Sequence, residues 1–303
     1  MRRYLAALTV AILPLSACGS SRAAAPPALT KSQAEQVLTH YQSVNNRANG
    51  ALDGKLLATV ETGAQLDMDR ADYQLHRAAK KKYTTFTYSG PAYYVPRQTG
   101  FPKWFAIEAS SGKTRHALLF VQERSGAPWL LTADPFPAEA LTGIALDKDG
   151  YATAVSPGDT HVALAPAKVA GAHAATLARG AQDMAPGPYT TSAHVALVKV
   201  QSGLKQHGVT LTPTFVPGGQ QAFALRTTGG GALVWYVLRQ TENYNVSKAG
   251  VIGTGGDLTG LVTTRIRHRL NTTALIQYLA VVPAHGKPQV IGTYRKAVQA
   301  AAS

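Results

Sequence analysis

The one cysteine of the chain, Cys18, follows Leu15, Ser16 and Ala17, a leucine and two small side chains. Cysteine sulfur is a strong nucleophile as the thiolate. With no second cysteine to pair with, Cys18 points to covalent modification rather than to an intramolecular disulfide. A Cys/His zinc framework is excluded for want of thiolates. Ser110 with Lys113, and Ser202 with Lys205, have the spacing of acyl-transfer nucleophiles, in which a lysine one helical turn away accepts the serine proton. Ser110 falls in an expected hairpin turn, and companion Ser-Asp-Asn and Lys-Thr-Gly elements are missing, so neither serine is assigned a catalytic role. Asp147, Asp149 and Gly150 are spaced like the start of a calcium loop, but Gly158 stands where the bidentate acid belongs, and a turn is the plainer reading. The nine histidines show no metal-ligand spacing. Asp67, Asp69 and Asp72, with Arg70 among them, read as a solvated helix face. Trp104, Trp129 and Trp235, with Tyr93, Tyr94 and Tyr236, read as core packing on strands. No catalytic residue, metal or cofactor is expected from these patterns.

The residues around Cys18 give it a context. Arg2 and Arg3 make a cationic start, and residues 5–15 are then apolar, well short of the ~20 residues a helix needs to cross a bilayer. That is the layout of an export leader, here residues 1–17, which takes no part in the fold. The run Leu15-Ser16-Ala17-Cys18 resembles the bacterial lipobox. The resemblance implies a diacylglyceryl group on the Cys18 sulfur, cleavage just before it, and a chain anchored to the extracytoplasmic face of the cell membrane. Two acyl chains are needed, because a single chain, at about 0.8 kcal/mol per buried CH₂, binds only marginally. Residues 18–28, rich in Ser, Ala and Pro, read as a flexible tether.

Thirty Lys and Arg against 16 Asp and Glu give +14, or +12 once Arg2 and Arg3 leave with the leader. This balance suits anionic partners of the envelope, an anionic polymer or a protein, besides the membrane itself. Nucleic acid is not expected, since no recognition motif is present and the leader directs the chain outside the cytoplasm. Lys80, Lys81 and Lys82 follow a helical pattern, where they complement the helix dipole. Arg265, Arg267 and Arg269 alternate with Ile266, His268 and Leu270, which on a strand puts three guanidinium groups on one face. They are the candidate anion-binding stripe, with a solvated sheet face as the plainer alternative.

The remaining pattern predicts an α+β fold of two tandem modules, each with helices packed on a curved antiparallel sheet. They span residues 29–146 and 160–303, joined by a turn-rich linker at 147–159. Apolar spacing predicts helices over 30–49, 65–80, 167–179 and 192–207. The first is capped by Thr30 with Gln33 or by Ser32 with Glu35. Short aromatic and β-branched runs predict strands at 85–88, 92–95, 104–109, 116–122 and 129–132, with Asp134-Pro135-Phe136-Pro137 as a break. A second set is expected at 209–216, 222–227, 232–240, 265–270, 274–282 and 289–293. Phe105-Ala106-Ile107 and Phe223-Ala224-Leu225, each followed by a second strand, suggest an internal duplication.

Helices before an antiparallel sheet, in modules of this size behind a lipobox, resemble the NTF2-like superfamily. The whole chain resembles uncharacterised lipoproteins of actinobacteria. The first resemblance rests on element order and transfers no functional residue; it implies a pocket in the hollow of each sheet. The expected role is non-catalytic, binding or structural, in the envelope. The alternative is a pocket-bearing hydrolase or isomerase of NTF2-like type. A solid apolar sheet interior favours the first, and buried acid, His or Ser side chains converging on a concavity favour the second.

Overall fold

The Thr30 cap prevails over Ser32. Its hydroxyl accepts from Gln33 N, and the Gln33 side chain accepts from Thr30 N at 2.8 Å, a complete capping box. Helix α1 (Lys31–Ala51) therefore starts where expected. It runs through Gly50 and stops at Leu52, which takes the left-handed conformation with φ 52°. The computed structural model describes residues 25–219, 221–247, 252–253 and 255–303. The expected leader and Cys18 lie outside them.

A short helix α2 (Gly54–Leu57) and helix α3 (Gly63–Ala79) follow. Four strands then form a meander, β1 (Ser89–Tyr94), β2 (Lys103–Ser111), β3 (Thr114–Gln122) and β4 (Leu130–Ala133), all antiparallel. Residues 85–88, expected as a strand, have no ladder partner. Conversely, Phe136–Pro137, expected only to break structure, forms a two-residue strand β5.

The second half has helices α4 (Pro166–Arg179) and α5 (Thr191–Gln206), then strands β6 (Val209–Pro217), β7 (Phe223–Arg226), β8 (Ala232–Val246), β9 (Arg269–Val282) and β10 (Gln289–Ala302). Its sheet runs β5-β10-β9-β8-β6, with β7 sharing the β8 edge. Strands β8 and β10 outrun their apolar stretches because β9, between them, offers both edges a continuous ladder. The stretch at 265–270 belongs to β9 only from Arg269 onward.

The α+β expectation holds, with two antiparallel sheets each covered by helix. Alternation then sets a layer order that local patterns do not contain. On the first sheet Phe105, Ile107, Leu118 and Phe120 face α1, while Trp104, Ala106, Leu119 and Val121 face the second sheet. On that second sheet Val234, Tyr236, Ile276 and Tyr278 face α4, while Leu233, Trp235 and Leu279 face back toward the first. The layers are helix, sheet, sheet, helix, and the central seam is apolar. Trp235, 1% exposed, crosses it and donates from Nε1 to Ala117 O at 2.9 Å. Trp104 packs on Phe223 in the same seam, which agrees with the core reading of these rings. Burial of one such side chain is worth about 1.5–3 kcal/mol.

The Phe-Ala-Ile and Phe-Ala-Leu motifs are not equivalent in space: Phe105 points at α1, but Phe223 points into the seam. Residues 147–159 are tied to both halves. Ala152 bridges Pro96, Ala154 bridges Leu225, and Arg97 binds Asp147 and Asp149 at 2.5 and 2.6 Å. That turn is closed by protein groups, as the turn reading requires. Of the expected tether, residues 25–28 are packed down: Ala28 N donates to Pro96 O and Gln98 N to Pro26 O.

Candidate functional site

Helix α3 leaves the layer pattern. Its Ala64 and Met68 cover Val237 and Leu275 on the second sheet, while its other flank faces α1 and the first sheet. This helix, covered on two flanks, turns Gln65, Asp69 and Asp72 inward as well as its apolar side chains. The seam it makes holds a cavity of about 210 Å³, bordered by both halves of the chain.

Tyr41, Asn45 and Asn49 project into the cavity wall from successive turns of α1. Glu61, just before α3, is 1% exposed. Its Oε1 accepts from Tyr41 Oη at 3.0 Å and from Asn45 Nδ2 at 2.8 Å. Its Oε2 is buried with no hydrogen-bond partner among the described residues, and the neighbouring charge is the Asp69 carboxyl. Two carboxyls in contact and removed from water cannot both ionise cheaply. Burial first, and then the Asp69 charge, push Glu61 well above the ordinary range, so the proton the two carboxyls share rests on Glu61. Burial likewise raises Asp69 to about 7, against the pull of its hydrogen bonds from Gln65 and Glu61. Asp69 is thus a carboxyl that changes charge near neutrality.

Opposite this pair, His116 on β3 and Asp134 after β4 are joined by a 2.7 Å bond between Nδ1 and Oδ2. Burial pulls the imidazole down, but the Asp134 charge and hydrogen bond outweigh it and the net shift is upward. Tyr88 and Phe136 pack edge-on against the ring and hold its plane. With Nδ1 committed to Asp134, Nε2 is the nitrogen left to exchange a proton. The second Asp134 oxygen, Oδ1, is buried without a partner among the described residues.

The acid pair and the dyad are linked through the second half. Asp134 N donates to Gln277 Oε1 at 2.6 Å, Gln277 Nε2 to Gln65 Oε1 at 3.0 Å, and Gln65 Nε2 to Asp69 Oδ2 at 3.1 Å. Nearby, Asp72 binds Lys296 of β10 and the Tyr83 hydroxyl. Asp67 is exposed as expected, but Asp69 and Asp72 are not a solvated face. They are turned inward because α3 packs on both flanks. Glu61, Asp69, His116 and Asp134 were not assigned roles from the sequence, where they lie up to 73 positions apart. The available signal was polar: Tyr41 and Asn45 on the apolar stripe of α1, and Gln65, Asp69 and Asp72 beside Met68 on α3.

Other sequence candidates lie elsewhere. Ser110 and Lys113 sit at the β2–β3 hairpin and Ser202 on the exposed side of α5, so neither pair is helical and buried together. Arg265, Arg267 and Arg269 are exposed, with Ile266 and Leu270 buried between and beside them. His268, expected on the buried side, is exposed because the strand begins only at Arg269. Among the described residues no group of three His, Asp or Glu side chains is placed to hold a metal ion.

A model of the family described as a domain of unknown function, DUF8094, matches residues 25–303, across both halves and the seam. The chain belongs to the DUF8094 family. It is 29% identical over 280 residues to an uncharacterised lipoprotein of Streptomyces coelicolor, covering 86% of this chain and 79% of that one. A second S. coelicolor uncharacterised lipoprotein is 26% identical, with 88% and 84% covered. One from Streptomyces avermitilis is 28% identical, with 73% and 69% covered. No solved structure matches this DUF8094 chain.

Proposed function

We propose that the chain is an exported lipoprotein, held by Cys18 on the extracytoplasmic face of the membrane, whose α3 seam takes up a small polar molecule and exchanges protons with it. The leader pattern at residues 1–17, the Leu15-Ser16-Ala17-Cys18 run and the lipoprotein names of three relatives support the anchor. No described helix is long and apolar enough to cross a membrane.

One observation carries the site: Asp69, backed by the buried Glu61, and an oriented His–Asp dyad face the same 210 Å³ cavity. Convergent acid and histidine groups favour a hydrolase or isomerase of NTF2-like type. General acid–base transfer, with Asp69 and His116 as the exchanging groups, is the step both reactions share. A non-catalytic role is the second reading. It is favoured by the Gln277, Gln65 and Lys296 bonds, which make the same network a key between the halves.

A ligand-observed NMR screen of small neutral alcohols, ketones and esters at pH 6 tests the site. Expected are hits whose binding weakens in Asp69→Asn and in His116→Ala. No hits, or hits indifferent to both substitutions, overturns the pocket reading. For the anchor, Cys18→Ala is expected to remain uncleaved or to leave the membrane fraction; mature protein persisting there overturns it.

A further inference from the structure

Beyond the residues covered by α3, the face of the second sheet that carries Val237 and Leu275 continues as an exposed to half-buried surface and turns polar, with Ala301 its one apolar member. Cross-strand register arranges it in rows. Thr214 of β6, Thr241 of β8, Thr273 of β9 and Gln299 of β10 lie side by side. The next row is Thr212, Asn243, Asn271 and Ala301, and the last is Thr210, Asn245 and Arg269. Adjacent strands set neighbours about 4.8 Å apart, and successive rows are about 6.8 Å apart. The outer-strand members Thr210, Thr212, Thr214 and Gln299 are exposed, and Thr241, Asn243, Asn271 and Thr273 are half-buried among them.

Strand formation does not account for this composition. Asparagine is depleted in strands, yet Asn243, Asn245 and Asn271 occupy two inner strands. On the opposite face the same strands satisfy their polar groups: Glu242 accepts from Tyr244 Oη at 2.8 Å, from Thr272 Oγ1 at 3.1 Å and from Gln240 Nε2 at 2.6 Å. On the row face no side chain has a hydrogen-bond partner among the described residues, and Asn271 Oδ1 is buried without one. A buried acceptor left unpaired costs free energy that a ligand donor recovers. No Asp or Glu stands in the rows, and the last of them ends at Ser303, whose O accepts from the backbone N–H of Arg267, His268 and Arg269. Their one charged side chain is Arg269; Arg239 lies beside Thr241, in a pocket it shares with Asp67 and Glu123, and Arg265 and Arg267 are exposed just upstream. No described acid pairs with any of these four guanidinium groups.

We propose that this face binds an extended anionic polysaccharide, the wall-polymer class of the cell envelope, with its hydroxyls on the Thr, Asn and Gln rows and its acidic groups on the arginines. Repeating donors and acceptors suit a polymer of repeating hydroxyls, and the +12 charge of the mature chain draws an anionic one. The rows contain no aromatic ring, the platform on which single-stranded nucleic acid stacks. The placement rests on the extracytoplasmic location proposed above, but binding by purified protein does not depend on it or on the α3 cavity.

The test is fluorescence anisotropy with labelled polygalacturonate, in parallel with dextran, which has hydroxyls without charge, polyphosphate, which has charge without hydroxyls, and anionic phosphatidylglycerol vesicles. Polygalacturonate is expected to bind at least tenfold more tightly than dextran or polyphosphate. The triple substitution Thr212→Val, Thr241→Val, Thr273→Val keeps shape and strand propensity, and is expected to weaken binding about tenfold with an unchanged melting temperature. Arg269→Gln is expected to weaken binding and flatten its salt dependence. Equal binding of polyphosphate or the vesicles, or full binding by the triple variant, overturns the proposal. Should the triple variant unfold, Thr212→Val alone, on the edge strand, serves with the same two outcomes.

Discussion

Each half buries a histidine beneath its helix layer, and the two are treated in opposite ways. His116 meets a carboxylate, Asp134, at the wall of a cavity, whereas His173 meets only neutral groups in a closed core. His173 Nε2–H donates to Tyr189 O at 2.7 Å, and its Nδ1 accepts from Tyr236 Oη at 2.9 Å. With both nitrogens used and no exposed surface, burial pushes its pKa down to about 4. His116, Asp69 and Glu61 are shifted up. The second half spends its polar groups completing a core. The first gathers groups that repel or must share a proton, around space, which packing alone does not require.

The largest test of this contrast is truncation. His173→Ala removes a packed ring and strands the Tyr236 hydroxyl and the Tyr189 carbonyl, so it is expected to cost about 3–5 kcal/mol in urea unfolding. His116→Ala opens onto the cavity, where water replaces the ring, and is expected to cost about 1–2 kcal/mol. Equal costs would erase the distinction between core and site.

Next comes the pH dependence, in which the two halves should oppose each other. For Asp69 the folded value, about 7, lies above the unfolded 3.8. Its contribution is therefore complete below about pH 4 and is lost as pH rises through 7. His116, also raised, likewise contributes below about pH 6.5 and loses that contribution at higher pH. His173, lowered to about 4, contributes above pH 6.5 and loses that contribution as pH falls toward 4. Melting temperatures from pH 4 to 9 should show Asp69→Asn removing a loss of stability between about pH 4 and 7, and His173→Gln removing a gain between about pH 4 and 6.5. If the double variant departs from the sum of the two changes, the two sites are not independent.

Gln277→Leu sharpens the comparison from the second sheet. It leaves Asp134 N without its acceptor and Gln65 Oε1 without its donor, at an expected cost of about 1–3 kcal/mol by denaturant midpoint. A neutral result would mean that the network does not key the halves together. The smallest effect is expected at α5, where Val198 is 46% exposed. Val198→Ser should change stability by less than about 0.5 kcal/mol; a larger loss would mean that this helix packs more tightly than its surface suggests.

Local features were readable in advance. The Thr30–Gln33 box, the proline start of α4 at Pro166 and the aromatic cores of β2 and β3 depend on residues a few positions apart. Errors fell where a distant partner decided the outcome. Phe136–Pro137 becomes a strand only because Gly292 and Thr293 pair with it, and β8 is long only because β9 lies alongside. Residues 85–88 have β-forming side chains, but α1 takes up their backbone: Phe86 N donates to Asn46 Oδ1 and Tyr88 N to Gln42 Oε1. The row face was half visible: Arg269 was flagged within a cationic alternation, but its neighbours Asn245, Thr210 and Ser303 come from other strands and other parts of the chain.

From composition and order alone come the expectation of a leader with a modifiable sulfur, a basic composition and alternating runs that specify helices and antiparallel strands. These are properties of single residues and short periods, and they hold in any arrangement of the elements. Tertiary structure alone decided that Glu61 and Asp69 share a proton, that His116 is held by Asp134, and that Thr, Asn and Gln side chains from four strands form one surface. The reason is physical: the charge state of a carboxyl depends on distance to its neighbours and on loss of water. Neither exists until segments far apart in the chain have packed.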